Sequence, residues 1–301
     1  MTITDAVIQG IIQGLTEFLP VSSSGHLSVY QHLTGISGEN SALITVSLHL
    51  GTLFAVIVAF RQKVLNLLKA FFSMAADIFT GKFKWKEMSG DRRILLMIVI
   101  SIFPLLLFYP FRHIFTGISE DNDIIAEGIC FIYTSVLLFV GCVISKKNIK
   151  TGGTLKSAQD LEPFDALVIG IFQGVALLPG VSRSGSTIAG AQITGMKRED
   201  SIEYSFILGI PVIMAGALSE YLDAAKSGAQ QLTEPVPILV GMAVAAVVGY
   251  LAIILVKWLT KTDRFIVFSV YTLILGLAVT GLGIYEHISG NFIYFMISQN
   301  M

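Results

Sequence analysis

Two short polar stretches interrupt an otherwise apolar chain and carry the residues that can do chemistry. The first, "EFLPVSSSGH", runs from Glu17 to His26, and the second, "LLPGVSRSGST", runs from Leu177 to Thr187. Together they hold a carboxylate, an imidazole, a guanidinium and several hydroxyl groups, a combination that can bind a phosphate and move a proton. Because the second stretch looks like an altered copy of the first, we treat the two as one site.

The serines and glycines of both stretches predict an anion-binding site. A helix that begins after Ser22 or Ser23, and another after Ser182, would present free backbone N–H groups and a partial positive charge. Arg183 adds a planar fork of donors suited to phosphate. Turn formation is the structural alternative for each serine taken singly. The positions expected to contact a phosphate or diphosphate are Gln13, Ser22, Ser24, Gly25, Ser182, Ser184, Gly185 and Thr187.

The ionisable residues of the first stretch indicate a site that reacts as well as binds. Gln13 and Glu17 are four residues apart, so they share one face of a helix. Glu17 can act as a base, orient a base, or hold a divalent cation against a diphosphate. His26 can exchange protons with a serine or a leaving group. A purely structural ion cluster is the alternative for these residues. Three other ionisable residues in or near apolar runs are assigned to helix packing or to interfaces: His49, Glu203 and Glu220.

The composition places these stretches in an integral membrane protein. Of the 301 residues, 53% are hydrophobic and 14% are charged, whereas a soluble domain carries roughly 25% charged residues. Two apolar runs, 5–19 and 164–178, are too short to cross a bilayer and are predicted to be re-entrant. The net charge of -1 gives no sign of nucleic-acid binding. Six longer runs predict transmembrane helices at 42–61, 93–110, 124–145, 201–221, 236–257 and 265–287.

An internal repeat relates the two polar stretches to each other. "DAVIQGIIQGLTEFLPVSSSG" aligns with "DALVIGIFQGVALLPGVSRSG" at a constant offset of 160. The chain therefore divides into halves, 1–145 and 160–301, each with an entering hairpin (5–33 and 164–195) followed by three spans. Three is odd, so the halves must have opposite orientations in the membrane. The predicted fold class is an all-α membrane protein with an inverted-topology repeat.

The basic residues orient this arrangement. Seventeen of the twenty lysines and arginines fall on one side if the six spans alternate, and the positive-inside rule makes that side cytoplasmic. The first hairpin then enters from outside and the second from the cytoplasm, so that their tips can meet. Residues 64–81 have apolar and polar residues on opposite helical faces, which predicts an amphipathic helix on the cytoplasmic surface.

The motifs "QGLTEFLPVSSSGH" and "PGVSRSGST" resemble the two signature regions of the bacterial undecaprenyl-diphosphate phosphatase family of the bacitracin-resistance type. The resemblance covers nearly the whole chain. It implies hydrolysis of undecaprenyl diphosphate to the monophosphate and inorganic phosphate, with a divalent cation, Mg²⁺ or Ca²⁺. The family's glutamate falls on Glu17, its proposed nucleophilic serine on Ser23, its histidine on His26 and its phosphate-binding arginine on Arg183. Gln13 stands where the family often has a second acid. Because glutamine cannot act as a base or an anionic metal ligand, these roles are expected to fall on Glu17.

The resemblance also implies a location and a set of partners. The protein is expected in the bacterial inner membrane as a multi-pass protein, with its active site facing outward, where it would recycle the lipid carrier of cell-wall synthesis. Its expected partners are a polyprenyl diphosphate and membrane lipids, and a homodimer is one arrangement left open. Attack by Ser23 and direct attack by water both remain open. A transporter that flips a phosphate-bearing lipid without hydrolysis is the alternative function, because inverted repeats with re-entrant hairpins occur in transporters.

Overall fold

The protein is a bundle of α-helices of very different lengths. A computed structural model describes residues 2–35, 41–111, 124–226, 235–262 and 264–290. Within these ranges the only β-structure is an isolated bridge between Lys156 and Met196. The helices are α1 (Ile3–Phe18), α2 (Ser23–Thr34), α3 (Ser41–Ala59), α4 (Arg61–Phe79), α5 (Gly90–Phe108), α6 (Ile125–Lys150), α7 (Pro163–Val175), α8 (Arg183–Ile193), α9 (Arg198–Lys226), α10 (Pro235–Lys261) and α11 (Ile266–Ser289).

The long helices have the length and composition of membrane spans, which confirms the all-α, multi-pass prediction. In the described part of the chain, five helical segments qualify: Gly90–Phe111, Ile125–Lys150, Arg198–Asp223, Pro235–Lys261 and Ile266–Ser289. The pair Leu43–Ala59 and Arg61–Phe79, bent by 89° between its two parts, gives a sixth candidate if it counts as one span. These segments overlap the six runs predicted from the sequence. The inverted relation between the two halves remains a prediction.

Two helical hairpins occupy the segments predicted to be re-entrant. Helix α1 has 16 residues and α7 has 13, lengths of roughly 24 and 20 Å at 1.5 Å per residue. Both fall short of a bilayer core of about 30 Å. Each returns through an even shorter helix, α2 after α1 and α8 after α7. Hairpins of this kind carry a turn to the depth where a site can lie between the long helices.

The first arm of each hairpin is capped by an acidic residue and packs closely on a long helix of the other half. Thr2 and Asp5 form a capping box at α1, and Glu162 and Asp165 form one at α7. Small residues permit the close packing. A Cβ built on Gly10 would lie 2.7 Å from a backbone oxygen of α10, and one on Gly170 would lie 2.4 Å from a backbone oxygen of α5. Each arm is thus held by a helix distant in sequence.

Helix α4 leaves the bundle almost at a right angle to α3. It covers most of the segment predicted as a surface helix. Six of its large apolar side chains are exposed: Leu65, Leu68, Phe71, Phe72, Ile78 and Phe79. An unpacked apolar face beside a perpendicular span is the arrangement expected of a helix that lies in a membrane interface.

One apolar cluster supports both hairpin tips. Phe18 and Val21 come from the first tip, Ile188 from α8 and Phe206 from α9, and all are buried. The rings of Phe18 and Phe206 meet edge to face with their centroids 5.3 Å apart, a favourable aromatic geometry. The tips therefore rest on a packed core, which holds the polar groups above it in fixed positions.

Candidate active site

The structure brings the two hairpin tips into direct contact. The backbone N–H of Gly180 donates to Ser24 Oγ at 3.4 Å, and Ser184 Oγ donates to the carbonyl of Leu19 at 3.5 Å. A Cβ on Gly25 would lie only 3.1 Å from the Cα of Gly180. The closeness of the backbones explains the need for glycine at position 25.

The two tips share one local design, in which a serine caps the returning helix. Ser22 Oγ accepts a hydrogen bond from the N–H of Gly25 at 3.3 Å, and Ser182 Oγ accepts one from Gly185 at 3.0 Å. Of the two serines considered at the first tip, Ser22 is the N-cap. Ser22 also has a φ of 72°, which side-chain-bearing residues rarely adopt. Backbone strain of this kind concentrates at functional sites.

Glu17 is the centre of the polar network between the tips. Its Oε1 accepts a hydrogen bond from Arg183 Nη2 at 2.5 Å. Its Oε2 accepts hydrogen bonds from Ser23 Oγ at 2.8 Å and from Gln13 Nε2 at 3.0 Å. The glutamate is buried, and a buried carboxylate requires such partners because isolating it from water is costly. The network joins the Ser23 hydroxyl to a carboxylate, and that carboxylate to the guanidinium that the sequence predicts to bind phosphate.

A cavity of about 280 Å³ opens over this network. Seven of the predicted site residues line it: Glu17, Ser22, Ser23, Ser24, Ser182, Arg183 and Ser184. Helix α9 provides an apolar wall, formed by Val212, Ile213, Gly216 and Ala217. A polar floor beside an apolar wall suits a ligand with a charged head and a hydrocarbon tail.

Two further predicted contact residues lie behind the cavity surface. Gln13 supports Glu17, as described above. Thr187 Oγ1 bonds with Ser205 at 2.6 Å and donates to the Arg183 carbonyl at 3.0 Å. Gly25 and Gly185 also stand outside the cavity lining and act through the capping bonds. These four residues shape the tips in this structure.

The hydrogen bonds of His26 go to residues other than Ser23. Its Nδ1 lies 2.7 Å from the carbonyl oxygen of Ser22, and its Nε2 lies 2.8 Å from the hydroxyl of Tyr271. A carbonyl can only accept, so Nδ1 carries the proton of this bond. The ring also stacks on Tyr271, with 7° between the planes. Glu17, rather than His26, is the proton acceptor next to Ser23 here, and a catalytic role for His26 remains a prediction.

Two residues that sequence reasoning assigned to packing belong to the cavity wall. His49 of α3 and Glu220 of α9 both line the cavity. His49 Nε2 lies 4.0 Å from Glu17 Oε2, and His49 Nδ1 lies 3.9 Å from Glu220 Oε2. Ionisable residues inside apolar helices mark functional sites by default, a signal that pointed to both residues but did not place them in this cavity. Glu203, assigned in the same way, instead lines a second cleft with Lys257 and Lys261.

The donor set around the cavity fits a cation that arrives with the substrate. In the described ranges, no three His, Cys, Asp or Glu side chains are grouped to hold a metal ion by themselves. Two carboxylates, Glu17 and Glu220, face the cavity against the single guanidinium of Arg183. Mg²⁺ commonly binds through one or two carboxylates together with phosphate oxygens of the substrate. Carboxylates on the cavity wall would supply the protein's share of such a site.

Comparison with known proteins gives a consistent result. The family model described as "Bacitracin resistance protein BacA" matches residues 6–278. An undecaprenyl-diphosphatase from Alkaliphilus metalliredigens (strain QYMF) is 35% identical over 277 residues, 92% of this chain and 97% of the relative. One from Korarchaeum cryptofilum (strain OPF8) is 34% identical over 286 residues, 94% of this chain and 100% of the relative. The chain therefore belongs to the bacitracin resistance protein BacA family.

Proposed function

We propose that the protein hydrolyses undecaprenyl diphosphate to undecaprenyl phosphate and inorganic phosphate, and so recycles the lipid carrier of cell-wall synthesis. The observation that carries the proposal is the bonded series Ser23–Glu17–Arg183 at the junction of two helix N-termini. It combines a nucleophile, a proton acceptor and a phosphate-binding group. Relatives that match nearly the whole chain are named for this activity.

The terminal phosphate would bind at the junction of the tips. The N-termini of α2 and α8 both open there, and free N–H groups at helix starts attract anions. Arg183 has five N–H donors in a rigid fork, so it can exchange its bond to Glu17 for bonds to phosphate oxygens. Ser24 and Ser184 add hydroxyl donors at the cavity surface. The apolar wall from α9 suits the first isoprenoid units of the tail.

The reaction follows from the geometry of Ser23 and Glu17. Ser23 Oγ attacks the terminal phosphorus while its proton passes to Glu17 Oε2, 2.8 Å away. The bond between that phosphorus and the bridging oxygen breaks, and undecaprenyl phosphate leaves. Water then attacks the phosphoserine, Ser23 regains a proton, and inorganic phosphate is released. In the alternative route, water attacks the terminal phosphorus directly, and Ser23 only hydrogen-bonds the phosphate.

Charge neutralisation is the main task of the remaining groups. Arg183 and the helix N-termini supply part of the positive charge. A divalent cation, Mg²⁺ or Ca²⁺, would supply the rest by binding phosphate oxygens, with Glu17 and Glu220 as the carboxylates available to hold it. The site residues named here come from one chain, so this chemistry does not require the homodimer left open by the sequence.

The membrane setting completes the proposal. The distribution of basic residues supports an inner-membrane protein with the first hairpin entering from outside, and the active site is proposed to face outward. A lipid diphosphate left on that face could then enter the cavity sideways, past α9. The relatives' names favour hydrolysis over lipid flipping without hydrolysis.

The test is phosphate release by the purified full-length protein in detergent, with undecaprenyl diphosphate as substrate. Detergent micelles have no sidedness, so transport cannot mimic turnover. We expect continuous release of inorganic phosphate, which stops in Glu17→Gln. Stoichiometric binding of the lipid with no phosphate release, with or without added Mg²⁺ or Ca²⁺, would support the transporter instead.

A further inference from the structure

His49 occupies a position that packing does not explain. It lies within the apolar helix α3, yet its ring faces the cavity beside Glu17. Its side chain is 24% exposed, whereas that of Glu17 is 7% exposed. One imidazole nitrogen faces Glu17 and the other faces Glu220. Each ring nitrogen therefore lies within 4.0 Å of a carboxylate oxygen.

The resting contacts of His49 are incomplete. Separations of 4.0 and 3.9 Å are too long for hydrogen bonds. His49 Nδ1 and Glu220 Oε2 are buried atoms without a hydrogen-bond partner in the described part of the chain. Buried polar atoms in this state are costly. Catalytic hydrogen bonds are often long before substrate binds and shorten in the complex. The separation between His49 and Glu17 can shorten in the same way.

Substrate binding creates a need for such tightening. In the resting structure, Arg183 holds Glu17 Oε1. An incoming diphosphate competes for the same guanidinium, because Arg183 is the basic residue that lines the cavity. Glu17 then loses its strongest restraint at the step in which its Oε2 must face Ser23. Gln13 supplies one remaining donor at 3.0 Å, and His49 is placed to supply a second.

We propose that His49 is a positioning residue, which donates from Nε2 to Glu17 Oε2 in the substrate complex and keeps that carboxylate directed at Ser23. Glu220 lies beside the opposite edge of the ring, with its Oε2 3.9 Å from His49 Nδ1. The inference rests on the proposed function, in which Glu17 accepts the Ser23 proton. It gives α3 and α9, which carry neither motif, a direct part in the reaction.

The test compares His49→Leu, which removes the donor, with His49→Gln, which keeps an N–H donor of similar reach. We expect kcat of His49→Leu to fall about tenfold to a hundredfold, the range for a partner that orients a functional group, with KM within about twofold because substrate contacts are kept. His49→Gln should recover most of kcat. His287→Leu, at an exposed histidine in α11, is the matched control and should behave like wild type.

A second readout separates positioning from a structural role. Thermal stabilisation by methylene diphosphonate, a non-hydrolysable diphosphate, should be the same in His49→Leu and wild type. Loss of that stabilisation, or equal loss of kcat in His49→Leu and His49→Gln, would overturn the proposal.

A double-mutant cycle tests the route through Glu17. If His49 acts through Glu17, His49→Leu causes no further loss in a Glu17→Gln background. If Glu17→Gln is inactive and His49→Leu is fully active, the role of His49 is refuted but the proposed function of the protein is not. An active Glu17→Gln would refute the proposed mechanism, and the role of His49 with it.

Discussion

At the scale of single residues, Glu17 accepts hydrogen bonds from both halves of the chain. It accepts from Gln13 and Ser23 of its own half and from Arg183 of the other. Removing one member of a buried charge pair leaves the other charge buried without a partner. The resulting loss of stability is usually larger than the stability that the pair itself contributes. Substitutions at Glu17 and Arg183 must therefore be read with a stability measurement beside the activity.

Arg183→Lys should lower kcat at least a hundredfold, in the range for removing one preorganised stabiliser. Lysine keeps the positive charge but lacks the planar fork that can bind two phosphate oxygens at once. Phosphate release from undecaprenyl diphosphate gives the rate, and a melting curve confirms folding. Near-normal turnover would mean that Arg183 contributes only charge or packing.

Glu17→Gln should leave a folded protein whose turnover is reduced about a thousandfold or more, because base and anionic ligand are lost together. The amide keeps the shape and can still contact Ser23 Oγ, so the loss reports on the carboxylate. The assay is phosphate release across a titration with Mg²⁺ or Ca²⁺. Wild-type activity and cation response in this variant would make Glu17 structural.

Gln13→Glu should be tolerated and should lower the Mg²⁺ concentration needed for half-maximal activity by several-fold. The new carboxylate would replace an N–H donor 3.0 Å from Glu17 Oε2. Two carboxylates so close are stabilised by a cation between them. The same phosphate-release titration measures the shift, and an unchanged or weaker Mg²⁺ dependence would contradict it.

At the scale of elements, the hairpins show how short helices can carry a site. Each first arm is too short to cross a bilayer, so its turn stops among the long helices. Non-helical backbone at such depth is tolerated where protein or a wet cavity satisfies it. The side chains of Ser22 and Ser182 accept hydrogen bonds from backbone N–H groups at the tips and so satisfy part of this backbone. The contact between Ser24 and Gly180 then locks one tip against the other.

Gly25→Ala should separate the tips. The added Cβ would lie 2.6 Å from the Phe131 ring and 3.1 Å from Gly180 Cα, and overpacking of this kind costs about 1–3 kcal/mol. We expect a lower melting temperature together with a loss of phosphate release. Gly281→Ala in α11, where a Cβ meets nothing within 4 Å, is the control for a glycine-to-alanine change. Unchanged melting and turnover in Gly25→Ala would show that the tips are not tightly apposed.

At the scale of the whole molecule, the two halves interlock. Helix α1 of the first half packs on α10 of the second, and α7 of the second packs on α5 of the first. The first tip also needs Arg183 from the second half to complete its network. Neither half therefore holds a complete site. Because the halves are packed together, the orientation of one half in the membrane fixes the orientation of the other.

Cysteine labelling in intact cells can determine this orientation. Cys130 and Cys142 are replaced first, and Lys84→Cys or Lys150→Cys is then introduced into the connections rich in basic residues. Because the positive-inside rule makes these connections cytoplasmic, a membrane-impermeant reagent should label them only after the cells are opened. Labelling of either position in intact cells would overturn the assigned topology and the inverted repeat with it.

The sequence by itself determined the features that depend on local interactions. Apolar runs set the long helices, serines and acidic residues set the caps, and the repeated motif identified Glu17, Ser23 and Arg183 as candidates for one site. Only the tertiary structure decided which side chains meet across the fold. Arg183 reaches Glu17 over a separation of 166 residues. His26 turns to Tyr271, 245 residues away, although it lies three positions from Ser23. His49 and Glu220 join the cavity because of the rotation of α3 and α9, and that rotation is set by packing between helices that no local pattern encodes.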